Sequence, residues 1–164
     1  MARNQALADA ADDILEQWSG ERPELDTASL GIVIRVLALA REYQRDAALA
    51  LADLDLELFE YDALSALRRQ GKPFALPATT LARETDLSSG AMTNRIDRLE
   101  ARKLVTRVQD PQDRRTVVVR LTAAGKRLID RAVGLRLDVA DRSMRELDTA
   151  QRRQLEDLLR RLCA

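Results

Sequence analysis

The spacing of apolar residues follows a helical period along most of the chain and changes abruptly in one place. β-branched residues form two short runs, Val105–Val108 and Thr116–Leu121, which the polar segment Asp110–Arg115 separates. Two β-branched runs around a polar turn are typical of a β-hairpin. Helical spacing on both sides of this hairpin predicts a mainly α fold with a small β-hairpin.

Three amphipathic helices are predicted in the first 71 residues. The first covers residues 5–18 and ends with Trp18 on its apolar stripe. The second runs from about Thr27 to Leu51, and the third ends near Gly71. We expect residues 72–77, which contain two prolines, to form a loop.

The segment after this loop has the spacing of a helix-turn-helix. Ala78–Thr85 predicts a short helix, and after a turn at residues 86–88 either Ser88 or Ser89 is suited to cap a second helix. One face of the second helix is apolar (Met92, Ile96 and Leu99), and the other carries Thr93, Asn94 and Arg98. Small polar and basic side chains on an exposed helix face suit contacts with base edges and phosphates.

Positive charge is concentrated in one part of the chain. The formal net charge of the whole chain is zero, which would argue against a nucleic-acid partner if the charges were evenly spread. Between Ser88 and Arg131, however, eleven basic residues stand against five acidic ones, a net charge of plus six, so the remainder carries minus six. A basic block suits phosphate binding by counterion release. The acidic remainder limits indiscriminate association.

The tip of the predicted hairpin presents arginines. Pro111 favours a turn, and Asp113 can orient a neighbouring arginine, so Arg114 and Arg115 point outward. An arginine held at a hairpin tip can enter the minor groove of DNA while the preceding helix occupies the major groove. The alternative is a loop arginine that pairs with a nearby acid.

Composition argues against most enzyme classes. The chain has no histidine and a single cysteine, Cys163, so it can build neither a Cys/His zinc site nor a histidine-activated nucleophile. Glycine-rich phosphate loops are absent from the sequence. A carboxylate-only or lysine-based site stays chemically possible, but we predict no enzymatic activity, no cofactor and no metal.

The sequence predicts no contact with a membrane. It contains no run of about 18 apolar residues. Its first residues include Asp9, Asp12, Asp13 and Glu16 in place of a basic patch and an apolar stretch. We therefore expect a cytoplasmic protein.

These motifs carry a family resemblance. The segment Ser88–Glu100, followed by Asp110–Arg115 and by Leu121-Thr122, closely resembles the MarR family of winged-helix regulators. The resemblance implies a homodimer with interlocking N- and C-terminal helices, whose two winged domains bind the half-sites of a pseudo-palindrome in double-stranded DNA. It also implies that Ser88, Ser89, Thr93, Asn94 and Arg98 contact the major groove and phosphates. By the same resemblance Arg114 is the minor-groove arginine, oriented by Asp113 and supported by Arg115.

The C-terminal region has its own signal for dimerisation. An apolar stripe on a terminal helix is too large for a small monomer to cover easily; its members are Leu147, Leu155, Leu158, Leu159 and Leu162. The alternative is packing of these leucines within their own subunit. We expect one single-domain chain, 1–164, in which residues 1–50 and 123–164 form dimerisation helices and residues 54–121 form the DNA-binding lobe.

Three further residues are similar to the urate-responsive branch of the family, typified by HucR and PecS. Trp18, Asp62 and Arg95 match positions that in that branch line a pocket for an anionic purine. Arg95 can pair with an anion, and Trp18 can stack on a flat ring. The resemblance implies a small anionic aromatic ligand such as urate. The structural alternatives are a core role for Trp18 and an Asp62–Arg95 ion pair between helices.

A different class of function also stays open. A helical protein-interaction module without specific DNA binding would tolerate neutralisation of the basic hairpin tip. That interpretation leaves the basic block of the chain unexplained.

Overall fold

The computed structural model describes residues 9–109, 113 and 115–163. Within them the chain forms seven helices and three strands. In chain order these are α1 (Ala10–Glu21), α2 (Ala28–Ala52), α3 (Leu58–Arg69), β1 (Ala75–Pro77), α4 (Ala78–Glu84), α5 (Ser89–Ala101), β2 (Val105–Gln109), β3 (Val117–Leu121), α6 (Ala123–Ser143) and α7 (Thr149–Leu162). The predicted fold class, mainly α with a small β element, is confirmed.

The chain divides into two compact units, one ending at Arg45 and the other beginning at Asp46. In the first unit Asp9 caps α1, and its carboxylate also accepts a hydrogen bond from Nε of Arg35 on α2 over 2.8 Å. Arg35 reaches Asp12 as well, over 2.6 Å. Charged contacts between α1 and α2 therefore organise the first unit. The helix continues past Trp18, where the sequence pattern ended it, to Glu21.

The second unit contains a three-stranded antiparallel sheet with strand order β1-β3-β2. Val105 of β2 pairs with Leu121 of β3, as a hairpin requires. On the other edge of β3, Leu76 pairs with Val119, so the prediction of a loop throughout residues 72–77 is wrong. The strand β1 is only three residues long and ends at Pro77. Proline is tolerated on such a short edge strand, since there its missing N–H removes no bond from the interior of a sheet.

The core of the second unit holds the helix-turn-helix in place. Its fully buried side chains come from α2, α3, α4, α5, β2, β3 and α6, and the largest are Leu51, Leu64, Leu67, Leu81, Met92, Ile96, Leu99, Val105, Val119 and Ile129. Burial of a side chain of this size contributes about 1.5–3 kcal/mol. The position of α5 is therefore fixed by apolar contacts along its whole length.

Where the sheet meets α6, the backbones approach closely. The hydroxyl of Thr122 donates to the carbonyl of Lys103 over 2.8 Å and accepts the N–H of Gly125 over 3.0 Å. A Cβ atom added to Gly125 would overlap the carbonyl oxygen of Leu104. Only glycine fits at this point, because any side chain would push α6 away from the end of α5 and the start of β2.

The predicted C-terminal helix is two helices. The chain leaves α6 at Met144, and Asp148 caps α7 in a reciprocal capping box with Gln151. Leu147 consequently lies in the connection, whereas the other four leucines of the predicted stripe lie on α7. No residue of α7 is buried within the described chain.

Candidate nucleic-acid interface

The second helix of the helix-turn-helix, α5, has one buried and one exposed face. Ser88 caps it, and its hydroxyl accepts the N–H of Ala91 over 3.3 Å. Met92, Ile96 and Leu99 face the core. A helix anchored in this way presents its opposite face in a fixed orientation.

The predicted DNA-contacting residues of α5 lie on the exposed face. Ser88, Ser89, Thr93, Asn94 and Arg98 are all exposed. The hydroxyl of Thr93 donates to the carbonyl of Ser89 over 3.0 Å, which fixes that side chain against the helix. The structure thus brings these five residues together on one surface, which we call the α5 face.

Arg98 already has partners in the free chain. Its Nη2 donates to Oε1 of Glu57 at the start of α3 over 2.6 Å. Its guanidinium also lies 4.8 Å from the ring centroid of Phe59. The hydrogen bond to Glu57 raises the pKa of Arg98 above its ordinary value.

A second arginine joins α5 to the same end of α3. Arg102, the C-cap of α5, donates from Nη1 to Oε2 of Glu60 over 2.6 Å and from Nη2 to the carbonyl of Asp55 over 2.6 Å. The carboxylate of Glu60 is 1% exposed and also accepts the N–H of Glu57 over 3.1 Å. One buried carboxylate therefore holds both the start of α3 and the end of α5.

This attachment of α5 to α3 is not predicted from the sequence. Glu57 and Glu60 are three residues apart and Arg98 and Arg102 are four apart, so each pair lies on one side of its own helix. Nothing in the sequence shows that these two sides face each other.

Arg107 connects the hairpin to α5. From β2 it donates to the carboxylates of Asp97, over 2.6 Å, and Glu100. Partial burial lowers the pKa of Arg107, but the hydrogen bonds to these two acids outweigh it, and the net pKa is raised. The hairpin of β2 and β3, which we call the wing, is therefore held at a fixed angle to α5 by charged contacts as well as by the core.

At the tip of the hairpin, Asp113 organises the backbone. Its carboxylate accepts the N–H of Arg115 over 3.0 Å and the hydroxyl of Thr116 over 2.9 Å. Arg115 is exposed. Arg114, the predicted minor-groove arginine, and the turn residues Asp110, Pro111 and Gln112 lie outside the described residues.

A groove runs between the wing and α5. Its volume is about 250 Å³, and its lining comes from α4, α5 and the start of β3: Ala78, Thr79, Ser89, Met92, Thr93, Arg115, Thr116 and Val117. Three predicted DNA-contacting residues, Ser89, Thr93 and Arg115, thus border one concave surface.

The predicted ligand-binding residues lie in different units. Trp18 belongs to the first unit, where 45% of it is exposed, so it is not a buried core residue of this chain. Asp62 and Arg95 belong to the second unit, where Arg95 acts on Asp62 through its charge and not through a hydrogen bond. The guanidinium of Arg95 instead lies 4.5 Å from the ring centroid of Phe59.

Asp62 has an altered acidity. Loss of hydration raises the pKa of its carboxyl group, and the positive charges of Arg136, Arg95 and Arg69 oppose that rise. Asp62 therefore lies within electrostatic range of three arginines, and it borders a pocket that Arg69, Glu84 and Asp86 also line.

Residues 9–109, 113 and 115–163 contain no group of three or more His, Cys, Asp or Glu residues that could hold a metal ion. None of the helices in this part of the chain is long and apolar enough to cross a membrane.

The short α4, the turn, the anchored α5 and the antiparallel hairpin together define a winged helix-turn-helix protein. A family model described as the MarR family matches residues 53–116. The transcriptional regulator PecS of Dickeya dadantii is 31% identical over 121 residues, which cover 74% of this chain and 73% of PecS. The transcriptional repressor NicR of Pseudomonas putida is 31% identical over 127 residues, which cover 76% of this chain and 78% of NicR. The chain belongs to the MarR family of transcription regulators.

Solved structures share the fold. BpsR of Bordetella bronchiseptica, whose DNA binding is regulated by 6-hydroxynicotinic acid, superposes with a TM-score of 0.70 at 27% identity over 85% of this chain and 96% of BpsR. A mutant of MarR from E. coli complexed with operator DNA gives a TM-score of 0.72 at 23% identity over 90% of this chain and 98% of MarR. Because the curated relatives are named transcription regulators, the prediction that this chain is not an enzyme is confirmed.

Proposed function

We propose that this chain is a ligand-responsive repressor that binds a pseudo-palindromic operator as a homodimer in the cytoplasm. The observation that carries the proposal is the α5 face. Ser88, Ser89, Thr93, Asn94 and Arg98 are exposed there, while the core fixes the opposite side of the helix. Short hydroxyl and amide side chains on a rigid helix can bond to base edges, and an arginine can bond to phosphate.

In this proposal the wing binds the minor groove. Arg114 enters the groove, and Arg115 supports it from the adjacent backbone position. The contacts of Arg107 with Asp97 and Glu100 support this arrangement, since they hold β2 against α5. A helix in the major groove and an arginine in the neighbouring minor groove read adjacent parts of one half-site.

The proposed homodimer would cover exposed apolar side chains in both units. In the first unit α2 exposes Leu30, Ile32, Val33, Val36, Leu37 and Leu39. In the second unit α7 exposes Leu158, Leu159 and Leu162. Large apolar side chains exposed in such numbers on two helices are typical of an association interface. The spacing of two α5 helices in such a dimer would follow the helical repeat of DNA, about 10 bp.

For the effector we propose a small anionic aromatic molecule such as urate. Support comes from Arg95, which together with Arg136 and Arg69 acts electrostatically on Asp62. A planar anion would pair with the guanidinium of Arg95. The regulation of BpsR by 6-hydroxynicotinic acid, itself an aromatic acid, favours this chemical class. Ligand binding would shift the population of dimers away from the DNA-binding arrangement.

The first experiment is the capture and sequencing of genomic fragments on the purified protein at near-physiological salt. Asn94→Ala, which removes a base-reading side chain from the α5 face, is the matched control. Enrichment of a pseudo-palindrome that the control loses or changes would support the proposal. Absence of any enriched site would favour the alternative, a helical protein-interaction module.

A second experiment tests the effector. Urate and 6-hydroxynicotinate are titrated into the protein–operator complex, and release of the DNA is followed by fluorescence anisotropy. We expect Trp18→Ala and Asp62→Asn to bind DNA like the parent but to need more ligand for release. Equal release from all three proteins would remove these residues from the effector site.

A further inference from the structure

Two arginines of α5 pair with two glutamates of α3, but the two pairs differ in their access to solvent. Arg98 and Glu57 have side chains that are 56% and 58% exposed. Glu60, the partner of Arg102, has a side chain that is 1% exposed. Exposed ion pairs are weak and open readily, whereas separation of a buried pair leaves an uncompensated charge in the interior.

Arg102 is held by hydrogen bonds within the protein. It bonds to Glu60 and to the backbone carbonyl of Asp55, and both contacts are 2.6 Å long. These bonds fix the C-terminal end of α5. Arg102 therefore anchors the helix.

Arg98 has contacts within the protein although its side chain is largely exposed to solvent. It lies on the exposed side of α5, four residues after Asn94, and its guanidinium is held by Glu57 and by the ring of Phe59. A phosphate placed against the α5 face would compete with the carboxylate of Glu57 for the same N–H groups. A guanidinium pairs with a phosphate and with a carboxylate in similar geometry.

We propose that Glu57 is a built-in competitor of DNA, an acidic side chain that occupies Arg98 in the free protein and is displaced by a backbone phosphate on binding. This inference rests on the proposed function, since it assumes that the α5 face meets DNA. Glu57 thereby lowers affinity for every duplex by the same factor. Discrimination between operator and other DNA then depends on the base-reading side chains of α5.

Displacement of Glu57 from Arg98 by a phosphate changes how steeply DNA affinity depends on salt concentration. A new arginine–phosphate contact releases about one counterion from DNA, but a glutamate that loses its arginine attracts a cation from solution. The two changes oppose each other in the wild-type protein. Without the charge of Glu57 only the release remains, and the affinity falls more steeply as salt is added.

The test compares the wild-type chain with Glu57→Gln, Arg98→Ala and the double variant. Affinity for one duplex is measured by fluorescence anisotropy between about 50 and 200 mM salt. Glu146→Gln is the matched control, because it removes the same charge from an exposed pair with Arg145 in the α6–α7 connection. Thermal unfolding of each variant verifies that it is folded.

We expect Glu57→Gln to raise affinity about two- to five-fold per DNA-binding unit at low salt, the range of an exposed ion pair. The slope of log affinity against log salt concentration should become steeper by up to about 0.9 for this variant. In the Arg98→Ala background the same change should have no effect beyond that of Glu146→Gln. These three results together would support the competition.

Contrary results separate the two proposals. Equal affinity and slope for the wild type and Glu57→Gln would overturn the competition, and so would weaker binding, which would make Glu57 a positioning residue for Arg98. A gain that persists without Arg98 would reduce the effect to general charge repulsion and would also overturn it. Failure of the wild-type chain to bind any duplex would overturn the proposed function itself.

Discussion

Arg107 on β2 donates from Nη2 to Oδ1 of Asp97 on α5 over 2.6 Å. The same guanidinium reaches Glu100 one turn further along the helix. A single side chain thus joins the hairpin to the helix that precedes it. The forked guanidinium allows both contacts, because Nη2 donates to Asp97 while Nη1 donates to Glu100.

We expect Arg107→Ala to destabilise the fold by about 1–2 kcal/mol, a value between those typical of exposed ion pairs and of hydrogen bonds to charged groups. DNA affinity should fall as well, because the wing loses its fixed angle to α5. Chemical denaturation and fluorescence anisotropy measure the two effects. Arg153→Ala, which removes the same charge from α7, should change neither stability nor DNA affinity. Unchanged stability of Arg107→Ala would contradict the proposed role of Arg107 in holding the wing against α5.

Arg114→Ala should weaken operator binding by about 1–3 kcal/mol and should do so most on sites with an A·T-rich minor groove. The reason is that a narrow minor groove attracts an inserted arginine. Titration of operators that differ only in the flanking base pairs measures both effects. Arg145→Ala serves as the control for lost charge, and wild-type affinity in Arg114→Ala would remove the wing from the interface.

Gly125→Ala should destabilise the chain by about 1–3 kcal/mol, because its Cβ would overlap the carbonyl oxygen of Leu104. Gly134→Ala, on the same helix, adds a methyl group with no atom within 4 Å. That control should be neutral or stabilising, since alanine is the better helix former. Equal unfolding free energies for the two variants would show that α6 can move away from the sheet without cost.

Leu158→Glu should disrupt the proposed homodimer. Leu158 is 50% exposed in the single chain and lies on the apolar side of α7. Sedimentation equilibrium should show a shift toward monomer, and operator binding should become weaker and less cooperative. Arg153→Glu places the same side chain on the charged side of α7 and should leave the mass unchanged; a dimeric Leu158→Glu would exclude this helix face from the interface.

Asp62→Asn should stabilise the chain at neutral pH. The pKa of Asp62 is raised in the folded chain, so the ionised form is less favourable there than in the unfolded chain. The resulting cost appears as the pH rises through the raised pKa and is absent below the ordinary value of about 3.9. Because Asp62 is exposed, the gain should not exceed about 1 kcal/mol.

The measurement for Asp62→Asn is the difference in Tm from the wild type at pH 7 and near pH 4. We expect a positive difference at pH 7 that shrinks toward acid pH. Asp138→Asn on α6 reports the effect of the amide group alone. A difference that grows on acidification would have the wrong sign and would refute the stated cause of the raised pKa.

Elements that local signals define can be predicted from the sequence. The change in apolar period located β2 and β3, and the adjacent Ser88 and Ser89 marked the start of α5, where Ser88 provides the capping hydroxyl. The break before α7 also has a local signal, the capping box of Asp148 and Gln151, which the leucine stripe concealed. These features depend on neighbours within a few residues, and a single sequence contains them.

Other features depend on partners far along the chain. The strand β1 exists only because β3 offers it an edge, and its three residues have no periodicity of their own. Glu57 and Glu60 look like ordinary solvent-exposed acids until α5 is placed beside α3. The helical period likewise placed Trp18 on the apolar side of its helix, but it could not show which residues would cover this side chain.

The attachments of α5 have one more consequence. The residues that hold the helix, Met92, Ile96, Leu99 and Arg102, are distinct from the exposed Ser89, Thr93 and Asn94. If the α5 face contacts DNA as proposed, substitutions at those three positions change which DNA sequence is preferred while the scaffold keeps its stability. Such a division lets a lineage acquire new target genes by a few surface mutations, with no need to rebuild the protein that carries them.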